Sequence, residues 1–247
     1  MVKKAAVRKK DNRPFFALLG LIALAGIGAI AWFVTRPKSA AVTTVDPGVP
    51  VEAQGYLLGN PNAPVQVIEF ADFECPACSQ FATLTEPDVR TRLVDRGIIS
   101  YRFYDFPLQI HRNTWDASHA AACANEQGKF WEMHDEIFNG QDRWNGQATG
   151  RPKSVFEGYA RSIGLNVGQW EQCYDSKKYQ RQIEANLAEG ERRNVGSTPT
   201  FIIGSRMIAT SMGYDQFKAY VDSALAEAGA SGADTSAKAA PAGTQPK

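Results

Sequence analysis

Hydrophobic residues in the middle of the chain follow two periods, one typical of strands and one typical of helices. A β-branched run at Val65–Phe70 predicts a buried strand, and the alternation over Ile98–Asp105 predicts a second. Between them, an acidic residue followed shortly by Pro76 is typical of a helix start. This helix should run toward Leu93 with a bend or break near Pro87, because proline removes a backbone donor.

After these elements the pattern becomes helical and then returns to strands. Apolar residues recur at helical spacing from about residue 111 to 195, and their stripes indicate core packing rather than a cofactor site. Two short runs, Thr200–Ile203 and Arg206–Ala209, predict a hairpin, and an amphipathic helix follows over Tyr214–Leu225. A parallel pair of strands followed by a hairpin predicts an α/β fold, with a small mixed sheet and helices on its faces.

The N-terminal part of the chain has a different pattern, an uncharged and mostly apolar run over residues 15–34. As a helix this run spans about 30 Å, the thickness of the hydrocarbon core of a bilayer. Basic residues are more numerous before it than after it, so residues 1–14 should stay in the cytoplasm and the rest of the chain outside. We therefore predict one transmembrane helix, residues 15–34, that anchors the chain in a membrane with residues 1–14 in the cytoplasm.

Two alternatives to an anchor remain open for this run. A cleaved signal peptide has a shorter apolar region, and here Arg36-Pro37-Lys38 separates the run from the nearest small residues. A buried core helix is the other alternative, although a helix that is apolar all round fits poorly beside a cationic tail.

Composition defines the remaining boundaries. Residues 35–55 predict a linker, residues 56–229 a folded domain, and residues 230–247, which are small, polar and proline-containing, a disordered tail. The first 38 residues hold eight of the 27 basic residues and one of the 26 acidic residues. The rest of the chain is therefore mildly acidic, which gives no electrostatic reason for it to bind nucleic acid.

The candidate chemistry lies in Cys75-Pro76-Ala77-Cys78, where a predicted strand is followed by a helix. Thiolates attack disulfides, and a cysteine at a helix N-terminus faces free N–H groups and the positive end of the helix dipole. Cys75 should therefore have a lowered pKa. Cys78 lies one turn further on the same face, from which it can attack a mixed disulfide at Cys75. This context is typical of a redox-active dithiol.

A structural role for the motif is the alternative. A CxxC pair can be half of a zinc site, but the two other cysteines and the three histidines do not form a second half by spacing. A purely structural Cys75–Cys78 disulfide would close a very small loop and constrain little. We predict neither a metal nor a cofactor.

With these motifs in place, the sequence resembles the DsbA-like branch of the thioredoxin superfamily. The resemblance begins at GNPNAPV (59–65), continues through VIEFADFECPACSQF (67–81) and FPL (106–108), and returns at CANEQGKFWEMHDEIF (123–138) and GSTPTFIIG (196–204). It covers about residues 55–228. It implies a thioredoxin-like fold with a helical insertion at about residues 111–195, and thiol–disulfide oxidoreductase activity.

The resemblance also implies roles for particular residues. Cys75 matches the nucleophile and Cys78 the resolving cysteine. Pro199 matches the cis-proline beside the dithiol, and the backbone of Thr198 would hold an extended substrate; an ordinary strand-edge proline is the alternative. Glu69 matches a buried acid that moves the proton of Cys78, unless its side chain reaches solvent.

Two further features bear on stability and redox strength. Cys123 and Cys173 both fall in the helical block, where we predict a structural disulfide, with two separate buried thiols as the alternative. The dipeptide Pro76-Ala77 lacks the histidine of the best-known oxidases. A histidine cation there would stabilise the thiolate, so the oxidising strength is left open.

These observations lead to one principal hypothesis and two alternatives. The principal hypothesis is a membrane-anchored extracytoplasmic oxidase that transfers its disulfide to exported proteins with free thiols. By family analogy, a membrane redox partner would then reoxidise it. A reductase or isomerase would use the same dithiol in another direction, and a redox-inert binding module would use the groove near Pro199.

Overall fold

The computed structural model describes residue 21, residues 24–28, residue 32, residues 42–44 and residues 53–238. The chain divides into one unit of residues 1–39 and another of residues 40–247. The described residues of the first unit are helical. Within the described ranges, no helix combines the length and apolar character that crossing a bilayer requires. Most of the predicted anchor, residues 15–34, lies outside those ranges.

The second unit is built on a mixed sheet. Its strands, in chain order, are β1 (Val42–Thr44), β2 (Tyr56–Leu58), β3 (Val65–Ala71), β4 (Ile99–Asp105), β5 (Thr200–Ile203) and β6 (Arg206–Ile208). They are arranged in the order β1-β6-β5-β3-β4-β2. The central strands β3 and β4 are parallel, and the other neighbouring pairs are antiparallel. The predicted mixed sheet, with a parallel pair and a hairpin, is confirmed.

Helices connect and cover these strands. They are α1 (Pro76–Leu84), α2 (Glu86–Val89), α3 (Thr114–Asn125), α4 (Phe130–Asn139), α5 (Gln141–Trp144), α6 (Lys153–Ser162), α7 (Val167–Asp175), α8 (Gln180–Arg192) and α9 (Tyr214–Lys238). A π-helical turn at Arg90–Val94 follows α2. The break between α1 and α2 lies next to Pro87, as predicted. Helices α3–α8 lie between β4 and β5, which confirms a thioredoxin-like fold with a helical insertion.

Three clusters of buried apolar residues hold these layers together. On the sheet, Phe81 of α1 packs against Phe201 of β5 and Phe217 of α9, with ring centroids 4.6 and 5.8 Å apart. In the insertion, the fully buried Trp144 and Trp170 belong to a second cluster. Strand β3 is buried on both faces except at one residue, which explains its nearly continuous apolar run. The carboxyl end of β3 therefore leads straight from the core to the N-terminus of α1.

The structure differs from the sequence-based boundaries at both ends of the folded unit. Strand β1 lies inside the predicted linker of residues 35–55 and pairs with β6. The edge of β6 offers free backbone hydrogen-bonding groups to this segment. With three residues, β1 is too short to show a hydrophobic period in the sequence. Helix α9 continues to Lys238, nine residues into the predicted disordered tail. Residues 230–238 include three alanines and no proline, and the next proline is Pro241, so no proline interrupts the helix in this stretch.

Candidate dithiol site

The turn between β3 and α1 places Cys75 at the N-terminus of a helix. Cys75 is the N-cap residue of α1 and has an extended backbone, while Pro76 occupies the first turn. The Asp72 carboxylate accepts a hydrogen bond from the backbone N–H of Glu74 at 2.7 Å, and the Asp72 carbonyl accepts one from the N–H of Cys75 at 3.1 Å. The turn is therefore fixed by its own acidic residue, and the Cys75 sulfur faces the open N–H groups of the first helical turn.

The two thiols of the motif are free and lie in different environments. The pKa of Cys75 is lowered from 9.0 to about 5, chiefly by a hydrogen bond from Cys78; burial opposes this, and Thr198 and backbone N–H groups add to it. The pKa of Cys78 is raised well above its usual value, first by complete burial and then by the neighbouring Cys75. One sulfur is thus ionised at neutral pH while the other keeps its proton.

Strand β5 brings a third segment to the sulfurs. It pairs antiparallel with β3, and the register sets Phe70 opposite Thr200. The preceding Thr198–Pro199 peptide bond is cis. The Thr198 carbonyl oxygen lies 3.4 Å from Cys75 Sγ, a distance at which it can accept a hydrogen bond from the protonated thiol. Residues separated by 123 positions in sequence therefore meet at the dithiol because their strands are neighbours in the sheet.

Glu69 lies inside the core beneath the motif. Its side chain is buried, and its Oε2 accepts a hydrogen bond from the Tyr101 hydroxyl at 2.5 Å. Burial, followed by the charge of Glu86, raises the pKa of Glu69 well above its ordinary value. The alternative of a strand-end glutamate that reaches solvent is therefore wrong. The charge of Glu69 also contributes to the raised pKa of Cys78, so the two groups interact electrostatically.

A network of charged residues that the sequence pattern did not indicate lies near Glu69. Arg90 donates hydrogen bonds to Glu86 at 2.8 Å and to both carboxylate oxygens of Asp135, at 2.9 and 2.8 Å. The side chains of Glu86 and His134 are each 1% exposed, with 3.7 Å between Glu86 Oε2 and His134 Nε2. The available signal was the spacing of Glu86 and Arg90, four residues apart on one helical face.

Acidic residues just before Cys75 form a second network, which the sequence pattern indicated only as a helix start. Asp72 Oδ2 accepts a hydrogen bond from the Leu108 N–H at 2.7 Å and lies 2.8 Å from His111 Nδ1, while Asp72 Oδ1 accepts one from the Thr114 hydroxyl at 2.6 Å. Glu74 accepts hydrogen bonds from backbone N–H groups of residues 113 and 146. These contacts connect the turn before Cys75 to the loop between β4 and α3, to the start of α3 and to the loop after α5.

The second pair of cysteines forms a disulfide within the insertion. Cys123 of α3 and Cys173 of α7 are joined, with their Cα atoms 5.8 Å apart. The alternative of two separate thiols is therefore wrong for this structure. A disulfide also removes both sulfurs as zinc ligands. Across the described part of the chain, no cluster of three or more His, Cys, Asp or Glu residues is arranged to hold a metal ion.

A helix-capping dithiol at the end of the central strand of a mixed sheet, with a cis-proline beside it, is the arrangement of thioredoxin-like proteins. A family model described as thioredoxin matches residues 52–223 of the sequence. The chain belongs to this thioredoxin family.

Solved structures with the same fold come from DsbA-like proteins. Alpha-DsbA1 of Wolbachia pipientis superposes with a TM-score of 0.64 at 23% identity, over 73% of this chain and 94% of that one. Oxidised BdbD of Bacillus subtilis superposes with a TM-score of 0.61 at 22% identity, over 71% of this chain and 97% of that one. At this level of identity the likeness shows that the chain shares the fold of these structures.

Among curated relatives, the Na(+)/H(+) antiporter NhaA 3 of Salinispora tropica is 31% identical over 223 residues. The match covers 84% of this chain but only 32% of that protein, so the chain spans about a third of the length of this relative. Disulfide bond formation protein D of Bacillus subtilis is 24% identical over 68% of this chain and 76% of its own length.

Proposed function

We propose that the chain is a thiol–disulfide oxidoreductase that forms disulfides in exported proteins, held at the outer side of a bacterial cytoplasmic membrane by residues 15–34. The observation that carries this proposal is the contrast between its two sulfurs. Cys75 has a pKa of about 5, whereas the pKa of the buried Cys78 is raised. A stable thiolate and a protected thiol favour the reduced form of the site, so its Cys75–Cys78 disulfide is suited to accept two electrons from a pair of substrate thiols.

The reaction proceeds by two thiol–disulfide exchanges. A substrate thiolate attacks Cys75 Sγ of the oxidised protein, which forms a mixed disulfide and releases the Cys78 sulfur. Burial favours the protonated form of the Glu69 carboxyl, so Glu69 supplies the proton that converts Cys78 to a thiol. In the reverse step, when Cys78 attacks a mixed disulfide, the Glu69 carboxylate accepts that proton. A second substrate thiolate then attacks the substrate sulfur of the mixed disulfide, and Cys75 leaves as a thiolate. The substrate loses two electrons and two protons, and Glu69 regains its proton from solvent.

The lowered pKa of Cys75 favours oxidation of substrates over their reduction. A thiol of low pKa leaves a mixed disulfide quickly, and the same stabilisation of the thiolate favours the reduced protein at equilibrium. The intrinsic nucleophilicity of a thiolate falls with its pKa, which makes Cys75 a poor attacking group for a reductase. The direction of electron flow therefore runs from substrate thiols to this protein.

Substrate binding and reoxidation complete the proposal. The Thr198 carbonyl, 3.4 Å from Cys75 Sγ, offers a backbone acceptor to an extended substrate segment beside Pro199. The Bacillus subtilis relative is called disulfide bond formation protein D, a name that describes the same activity for that protein. After each cycle a membrane redox partner would withdraw the two electrons and restore the Cys75–Cys78 disulfide. This dithiol chemistry requires no cofactor.

The reduction potential of Cys75–Cys78 tests the direction of the reaction. Full-length protein in detergent would be equilibrated in glutathione buffers, and the dithiol and disulfide forms separated after acid quenching and alkylation. A potential near about −120 mV, typical of strong disulfide donors, is expected. A potential near about −270 mV, typical of thioredoxin-like reductants, would overturn the oxidase proposal and favour a reductase.

Membrane extraction tests the anchor. Full-length protein and a variant lacking residues 1–38 would be produced in a bacterial host, and the membranes washed with alkaline carbonate. The full-length chain should stay in the membrane pellet and be cleaved by protease added outside spheroplasts. Recovery of intact full-length protein in the carbonate wash would contradict the anchor, as would protection from external protease.

A further inference from the structure

His111 lies on the loop between β4 and α3, and Asp72 holds its ring. The His111 Nδ1 atom is 2.8 Å from Asp72 Oδ2, and the side chains are 16% and 0% exposed, respectively. Asp72 is itself fixed, because it also accepts hydrogen bonds from the Leu108 N–H and the Thr114 hydroxyl. A buried carboxylate with these partners orients the imidazole and favours its protonated form.

The charged groups with the largest effect on His111 come from the turn that leads into α1. They are Asp72, Glu74 and Cys75, and each raises the pKa of His111, the hydrogen bond with Asp72 most strongly, while partial burial opposes the shift. Arg112, the adjacent residue of the loop, is exposed. When its ring is protonated, His111 carries a positive charge that interacts with Cys75, next to a Cys-Pro-Ala-Cys motif whose middle residues carry none.

We propose that His111 is a positioning residue for the dithiol, whose imidazolium stabilises the Cys75 thiolate and so makes the Cys75–Cys78 disulfide a stronger oxidant. The effect on oxidising strength rests on the proposed function, whereas the electrostatic coupling between the two residues does not. The stabilisation acts on the reduced protein, because the disulfide form carries no charge at Cys75. Any cation that favours the thiolate therefore shifts the exchange equilibrium toward oxidised substrate.

The coupling is reciprocal. When substrate thiols reduce the disulfide, Cys75 becomes a thiolate and Cys78 a thiol, and the new negative charge strengthens proton binding at His111. His111 then takes up additional proton from solvent, and it releases that proton when the disulfide is restored. The pKa of His111 should accordingly be higher in the reduced than in the oxidised protein.

A neutral variant of His111 tests the proposal on the full-length protein. His111→Gln keeps a hydrogen-bond donor for Asp72 but removes the charge. Acid titration followed by the ultraviolet absorbance of the thiolate should show the Cys75 midpoint raised by about 0.5 to 1 pH unit. The glutathione equilibrium at neutral pH should shift about 3- to 10-fold, which lowers the potential by about 15 to 30 mV. This difference should shrink above the pKa of His111, where the wild-type ring is also neutral.

Two measurements separate this effect from a general loss of positive charge or of structure. Arg112→Gln removes a cation from the same loop and should leave the Cys75 midpoint within about 0.2 pH unit, because an exposed charge is screened by solvent. NMR titration of wild-type His111 requires no variant and should give a higher pKa in the reduced form. An unchanged midpoint in His111→Gln, an equal shift in Arg112→Gln, or one His111 pKa in both redox states would each overturn the proposal.

These readouts need no substrate, so they are independent of the direction of electron flow. A reductant-like potential together with the predicted His111 shift would refute the oxidase proposal and support the coupling. An oxidant-like potential without that shift would refute the coupling alone.

Discussion

In the reduced protein, the Cys75 thiolate should make the free energy of unfolding depend on pH. Replacing Cys75 with alanine should remove this pH dependence. The pKa of Cys75 falls from 9.0 to about 5 on folding. A lowered pKa contributes stability that is complete above the unfolded value and disappears as pH falls through the folded value. For Cys75 this window extends from about pH 9 down to about pH 5.

The size of the effect at pH 7 follows from the same shift. If the whole pKa shift acts on stability, the thiolate contributes about 2.7 kcal/mol to the free energy of unfolding at pH 7. This is half of the contribution available above about pH 9. Because Cys75 keeps 7% of its surface exposed, solvent screens part of its interactions, and we expect about 1 to 2 kcal/mol. At about pH 4 the Cys75 thiol is protonated in both folded and unfolded protein, so this contribution vanishes.

Urea denaturation of wild type and Cys75→Ala, both in excess reductant, measures this contribution. The loss of packing in the variant is common to both pH values, so the difference between the two destabilisations isolates the thiolate. Cys75→Ala should cost about 1 to 2 kcal/mol more at pH 7 than at pH 4. An equal destabilisation at the two pH values would refute the inference that the folded protein stabilises a Cys75 thiolate.

Two more predictions concern the disulfide and the buried acid. The double variant Cys123→Ala/Cys173→Ala should lose about 4 kcal/mol of unfolding free energy, the loop-closure value for its separation of 50 residues. Its folded fraction should keep the reduction potential of the dithiol. Glu69→Gln should slow the attack of Cys78 on a mixed disulfide at Cys75 by at least about 10-fold, because no carboxylate remains to accept the Cys78 proton. Denaturation curves and mass spectrometry of acid-quenched samples measure these effects.

Matched variants define what would contradict these expectations. Tyr101→Phe keeps the Glu69 carboxyl but removes the hydrogen bond to its Oε2 atom, so it should slow the mixed-disulfide step less than Glu69→Gln does. Equal decay rates in Glu69→Gln and wild type would exclude proton transfer through Glu69. For the second cysteine pair, a loss below about 1 kcal/mol would show that the cross-link does not constrain the unfolded chain.

The position of the dithiol explains how one strand can serve both stability and chemistry. Strand β3 carries Glu69 within the core and ends at the turn that holds Cys75. A buried carboxyl is costly in a core, and here the Tyr101 hydroxyl hydrogen-bonds to it. The same burial that raises the pKa of Glu69 keeps Cys78 protonated. The core thus maintains the difference between the two sulfurs.

Much of the fold and the centre of the site could be predicted from the sequence, because they depend on local patterns. The run Val65–Phe70 and the following Cys75-Pro76 specify a strand and a helix start within one short segment, and the helix N-terminus lowers the pKa of whatever thiol caps it. The break near Pro87 is equally local, since proline itself removes the donor. Short edge elements escaped prediction because strand β1 exists only by pairing with β6.

Tertiary structure alone decided which distant residues surround the sulfurs. No periodicity brings His111 to Asp72 or shows that Arg90 joins Glu86 to Asp135, since those contacts depend on how loops and helices cross the end of the sheet. Burial is also a property of the packed molecule. The packing of the helices on the sheet, and not the sequence pattern of the strand, places the Glu69 side chain inside the core. The sequence by itself determined the dithiol and the elements that carry it. Packing determined which charged groups surround the dithiol, because electrostatic interactions act through space and not along the chain.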